Sequence, residues 1–201
     1  MIRRVLLGVF AAGFAIGIAQ SLGVEAQETE GAGDGPRYVN GTDLVRPDDY
    51  REWTFLSSSL DMTYDAPGAR SGPSRFQNVY VNRSSYRAFL DSGRWPDETI
   101  FVLEIRESSR EGAINDAGQF QAGLVALEAE VKDDRFADGW AFYDFGVAGS
   151  LRDVSEPLSG ARVAGCIECH TEHTAAERTF VQFYPTLLEA ARRHGTLKPG
   201  F

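Results

Sequence analysis

The stretch Gln121-Ala122-Gly123-Leu124-Val125-Ala126-Leu127-Glu128-Ala129-Glu130-Val131-Lys132 decides the fold of this chain. Leu124, Leu127 and Val131 have helical spacing, while Val125, Leu127, Ala129 and Val131 alternate as in a strand. Periodicity alone does not separate the two readings. The segments around it are clearer. Thr99 to Glu107 reads as a strand, with β-branched Ile100, Val102 and Ile105 around Phe101 and Leu103. Phe76 to Asn82 and the aromatic run Gly139 to Val147 also read as strands. Helices are fewer. Tyr86 to Asp91 is predicted helical, capped by Ser84 or Ser85 and ended by Gly93 and Pro96. Pro185 to His194 is the clearest helix, with Pro185 in the first turn and Gly195 as its stop. Asp48 and Asp49 start a helical turn through Trp53. Loops are expected at Tyr64 to Ser74, where Pro67, Gly68, Gly72 and Pro73 break the chain, at Glu111 to Gly118, and at Leu151 to Ala164. The sum predicts an α+β domain, a predominantly antiparallel β-sheet with a few short helices.

One motif carries chemistry. Cys166-Ile167-Glu168-Cys169-His170 reads Cys-x-x-Cys-His, the attachment signature of a c-type haem, and lies near the C-terminus. Two thiols at this spacing reach two vinyl groups on one porphyrin edge, and the next residue presents an imidazole to the iron. Cys166, Cys169 and His170 are thus the candidate cofactor-binding residues, with His170 the metal ligand and covalent haem c the cofactor. Two other readings fit less well. A thioredoxin-like dithiol normally opens a helix early in its domain. A zinc site would need adjacent Cys169 and His170 to point at one tetrahedral ion.

The 201 residues suffice for one domain with a sizeable core, and 43% hydrophobic with 24% charged residues excludes disorder and a multispan membrane protein. Both cysteines lie in the motif, so no pair is left for a structural disulfide. Arg3, Arg4 and the apolar run Val5 to Ala19 predict a cleaved signal peptide over 1–26, and hence a periplasmic protein without a stable membrane span. A Gly- and acid-rich leader is expected over 27–43, with the haem domain over 44–201. Loss of Arg3, Arg4 and Glu25 leaves 18 basic against 28 acidic residues, a net charge of −10. That surface repels nucleic acid and anionic lipid, and is compatible with a basic redox partner.

A sixth iron ligand is scarce. His173 follows His170 too closely to reach the opposite face of a porphyrin, and His194 reads as a helix-terminal cation. Met62, the one methionine of the mature chain, reads as packing more readily than as a ligand. The expected iron has an open distal position, which suits a small ligand better than pure electron transfer.

From about Pro47 to Pro185 the chain resembles the cytochrome P-460 family, which includes cytochrome c′-beta. The resemblance rests on Asp49-Tyr50-Arg51-Glu52-Trp53, Phe76 to Val81, Gly93-Arg94-Trp95-Pro96-Asp97, Leu127 to Asp133, Arg135-Phe136, Gly139 to Tyr143, Cys166 to His170 and Thr179 to Pro185. It implies an exported, largely β haem c protein, typically a homodimer, and makes Gln121 to Lys132 a strand. Members called cytochromes P-460 oxidise hydroxylamine on a haem cross-linked to a lysine; Leu103 stands at that position here. Glu128 matches the distal carboxylate that takes protons in those enzymes, and is the candidate catalytic residue. Gln77 stands for a distal arginine of some members. Phe55, Phe76 and Phe101 are the candidates to cap the distal face. Three functions follow: a binder of NO or a related small nitrogen species, a hydroxylamine/NO oxidoreductase using Glu128, or an electron-transfer cytochrome c.

Overall fold

The computed structural model describes residues 33–62, 72–112 and 114–201. The signal segment 1–26 and most of the loop Tyr64 to Ser74 lie outside them. Eight strands and three α-helices are found among the described residues. A five-stranded antiparallel sheet is formed in sequence order by β3 (Thr54–Leu60), β4 (Arg75–Val81), β5 (Thr99–Ser109), β6 (Phe120–Lys132) and β7 (Trp140–Val147). A small sheet joins β1 (Tyr38–Val39), β2 (Asp43–Val45) and β8 (Val154–Ser155). The helices are α1 (Arg83–Ser92), α2 (Ala161–Glu172) and α3 (Pro185–His194).

The ambiguous stretch is β6, the second-innermost strand, paired with β5 on one side and β7 on the other. Its alternation wins because both faces of the sheet are used. Leu127, Ala129 and Val131 turn to one face, into a core with Ile100, Val102, Tyr143, Leu44 and Tyr50. Phe101 and Val81 turn to the other face and pack with Phe89, Trp95 and Leu187. Period 2 then places Glu128 and Glu130 on this second face. Leu103 is directly opposite Glu128, and Phe101 opposite Glu130. A bulge between Leu127 and Glu128, where β7 carries one extra residue, re-aims β6 beside Glu128.

Three boundaries differ from the sequence reading. The α1 helix begins at Arg83, with Asn82 in the capping position, because the carboxylate of Asp34 accepts from the backbone N–H of Ser84 (2.9 Å) and replaces a local serine cap. The β1 strand lies inside the span expected as leader and β2 begins at its last residue, Asp43; β1 pairs with β2, and β2 with β8. The expected loop Leu151 to Ala164 contains β8 and the first turn of α2. The sequence reading of α3 and of the turn Tyr50–Glu52 coincides with the structure. Gly93 ends α1 in the left-handed region at φ 69°, where an added Cβ would lie 2.7 Å from His194 Cβ. That close approach docks α1 against the end of α3.

Candidate haem site

The α2 helix presents Cys166, Cys169 and His170 at i, i+3 and i+4, and so on one face. No residue of α2 is fully buried, because that face borders a cavity of about 450 Å³ between the helix and the sheet. The cavity walls include Val79, Phe101, Leu103 and Leu158, and its volume is in the range of small-molecule and cofactor sites. The thiols of Cys166 and Cys169 are free. Burial pushes both thiols above their ordinary range, Glu128 adding for Cys166 and Glu168 for Cys169. A redox dithiol has a depressed thiol instead. Among the described residues, no three or more His, Cys, Asp or Glu side chains are grouped to hold a metal ion, so Cys166, Cys169 and His170 do not form a zinc cluster with a further ligand.

His170 is held on three sides. Its ring meets Phe142 and Phe180 edge-on, each at 4.8 Å between centroids. Its Nδ1–H donates to the carbonyl of Arg178 at 2.8 Å. That bond fixes the tautomer and leaves Nε2 as the free donor of a lone pair. Oε1 of Glu130 is 3.1 Å from the same Nδ1 and still has no hydrogen-bond partner, since the one N–H points at Arg178. Burial by itself would lower the His170 pKa; the Glu130 charge outweighs it, and the net shift is upward. The Glu130 carboxyl is pushed up by burial, against the opposing pull of His170 and Arg178.

Glu128 also lines the cavity. The residue is exposed, yet partial burial of its carboxyl pushes it above the ordinary range, with Asp144 adding to the shift. Asp144 is the cross-strand neighbour of Glu128 and is itself engaged by Arg162 at 3.0 Å. Gln77 and Met62 line the same cavity, and Ser59 donates to the Gln77 side-chain oxygen at 3.0 Å.

Of the three phenylalanine candidates, Phe101 lines the cavity. Phe55 is on the opposite face of the sheet, edge-on to Tyr80, and Phe76 does not line the cavity. Alternation excludes Phe76, one residue out of step with Gln77, and the bulge between Phe55 and Ser57 turns Phe55 away from the face on which Ser57 and Ser59 line the cavity. His194 lies away from the cavity, with Nε2 donating to the carbonyl of Leu90 at 3.2 Å.

The donor set fits a haem. Two thiols and one oriented imidazole share a helix face, and they look across an apolar cavity at a sheet. The fold and site thus define a pocket of the cytochrome class. The family model of Cytochrome P460 matches residues 47–181, and the chain belongs to that family. It is a haem-binding cytochrome. No curated protein matched the chain. Among the described residues, no helix is long and apolar enough to cross a membrane.

Four residues around His170 were not singled out from the sequence: Glu130, Phe142, Arg178 and Phe180. Glu130 was within reach of it, two positions from Glu128 on a strand and so on the same face. Arg178 and Phe180 reach His170 through a turn in which Thr179 pairs with Ala176, which no local pattern announces.

Proposed function

We propose that this cytochrome carries a c-type haem on Cys166 and Cys169, with His170 on the iron, and that it binds NO or a related small nitrogen species in the cavity bounded by Leu103 and Glu128. The observation that carries the reading is the cross-strand pair Leu103 and Glu128: an apolar side chain beside a carboxyl whose proton is held above the ordinary range. Bound haem would supply an iron able to take a small ligand. The chain's own residues do the rest. Cys166 and Cys169 anchor one edge, and Arg178 and the two phenylalanines orient the imidazole. Phe101, Leu103 and Val79 keep water away from the ligand side and favour neutral diatomics over hydroxylamine. Glu128 supplies a carboxyl there whose pKa burial and Asp144 raise above the ordinary range.

The raised Glu128 carboxyl also favours a second reading, hydroxylamine or NO oxidation with Glu128 as the proton acceptor. The signal-like N-terminus supports a periplasmic site of action, and the acidic surface supports a basic redox partner. A homodimer is the expected assembly from the resemblance, and sedimentation tests it.

Optical spectra of the purified protein, oxidised and reduced, with and without NO, test the proposal. An ordinary haem c spectrum that shifts on NO addition, with hydroxylamine left unconsumed, is the expected result. Consumption of hydroxylamine that is abolished by Glu128→Gln would establish the second reading. A spectrum of methionine or a second histidine on iron would refute both open-site readings.

A further inference from the structure

The turn that offers the Arg178 carbonyl to His170 is braced by residues with no task so far. Glu177 and Arg178 are its two middle residues, and the Thr179 N–H closes it on the Ala176 carbonyl at 2.9 Å. Glu177 has φ 50°, a left-handed conformation that a non-glycine residue keeps where its surroundings impose it. Here they do so on both sides of Arg178. On one side, the Glu177 carboxylate accepts from Lys132 Nζ at 2.7 Å and from the Trp95 backbone N–H at 3.3 Å. On the other, the Thr179 hydroxyl accepts from the indole N–H of Trp95 at 2.8 Å and donates to the Ala176 carbonyl at 2.8 Å. Lys132 Nζ also donates to the Trp95 carbonyl at 2.6 Å, which ties the two anchors together. Trp95 is 2% exposed and meets the rings of Phe89 on α1 and Phe101 on β5, while Lys132 ends β6.

These anchors belong to the sheet and to the packing around α1, not to α2, which buries no residue of its own. The 2.8 Å bond from His170 Nδ1–H therefore depends on where the body of the fold puts the Arg178 carbonyl. A carbonyl held against Nδ1–H fixes the plane of the ring and makes Nε2 a stronger donor to a metal. We propose that Trp95, Lys132, Glu177 and Thr179 are positioning residues that act on His170 through the Arg178 carbonyl. Their brace sets the length of the Nδ1–H bond, and with it the strength of the iron–imidazole bond. A brace that served stability alone could be cut in a folded protein without changing that bond.

This inference rests on the reading of His170 as the ligand of an open iron. A ferrous wild-type protein without an iron–histidine stretching band refutes that reading before any variant is made, so the two failures are distinguishable. The experiment uses the haem-loaded full chain with Thr179→Val, which removes the hydroxyl, and Thr179→Ser, which keeps it. The iron–histidine stretching band of each ferrous protein is measured by resonance Raman. The expected result is a band shifted to lower frequency in Thr179→Val and a band restored to the wild-type position in Thr179→Ser. Partial unfolding would weaken the band but leave its frequency where it is. A folded Thr179→Val variant with the wild-type band, or a Thr179→Ser variant shifted as far as Thr179→Val, overturns the proposal. Should Thr179→Val fail to fold, Lys132→Met carries the test: it cuts the brace on the Glu177 side, the same downward shift is expected, and an unchanged band overturns the idea.

Discussion

Replacing Glu104 with glutamine should destabilise the protein without touching the haem cavity. Glu104 is on β5 next to Leu103, so its side chain points to the opposite face of the sheet. The side chain is 2% exposed, and its carboxylate accepts from Arg51 at 2.8 Å, from Arg106, and weakly from Tyr80 at 3.4 Å. Hydrogen bonds to a charged group contribute roughly 1.5–3 kcal/mol each. Arg51 is half exposed, which screens its share, and glutamine keeps one acceptor oxygen. The net loss is then about 2–3 kcal/mol. In a domain of this size that lowers the melting temperature by roughly 4–12 °C. Burial acts to raise the Glu104 pKa, but the hydrogen bonds from Arg51 and Arg106 win and hold it below its ordinary 4.5. A carboxylate depressed in the folded state stabilises above its unfolded value and loses that contribution as pH falls through the folded value. The variant should thus be weaker than wild type at neutral pH, and the gap should close in acid, as pH falls below 4.5 through the folded value. Urea unfolding followed by circular dichroism at both pH values measures this, and the haem spectrum should not change. A loss under about 0.5 kcal/mol, or an equal loss at both pH values, would refute the electrostatic account.

Other perturbations address the site. Glu128 has a raised carboxyl, so its folded state favours the proton, and the stability this gives is present below 4.5 and lost as pH rises through the folded value. Glu128→Gln should therefore unfold at higher urea than wild type at neutral pH and match it in acid; a variant weaker at neutral pH contradicts the desolvated carboxyl. Phe142→Ala removes a ring that is 6% exposed and packs on His170, and should cost about 3–5 kcal/mol in urea unfolding and broaden the haem spectrum. A cost below about 1 kcal/mol would mean that Phe142 is not part of the His170 support. Gly93→Ala combines a left-handed backbone with a Cβ 2.7 Å from both His194 Cβ and Thr196 Oγ1, and should lose at least about 2 kcal/mol by thermal unfolding. A neutral substitution there would show that α1 and α3 can separate freely.

Much of the scaffold was legible in the chain because its signals are local. Pro185 and Gly195 bracket α3, and the β-branched runs mark β4, β5 and β7. The strand nature of β6 was not legible in that way: Leu124, Leu127 and Val131 serve a helix equally well, and only pairing with β5 and β7 on both edges decides it. The cap of α1 was misplaced for a related reason, since the carboxylate that meets Ser84 comes from Asp34, fifty residues away in sequence.

By itself the sequence determined the chemistry of the donors. Cys166, Cys169 and His170 lie within five consecutive residues, and their joint presentation needs nothing beyond one turn of helix. That position 103 is leucine, where the family resemblance implies a lysine in some members, was equally a matter of identity. Tertiary structure decided what surrounds these groups. The arrangement of Glu130 and the Arg178 carbonyl on one nitrogen of His170, and of Leu103 against Glu128, joins residues that are 8 to 40 positions apart. Strand register and the path of the turn after α2 set those distances, and both are properties of the packed sheet and helices, not of any stretch of chain.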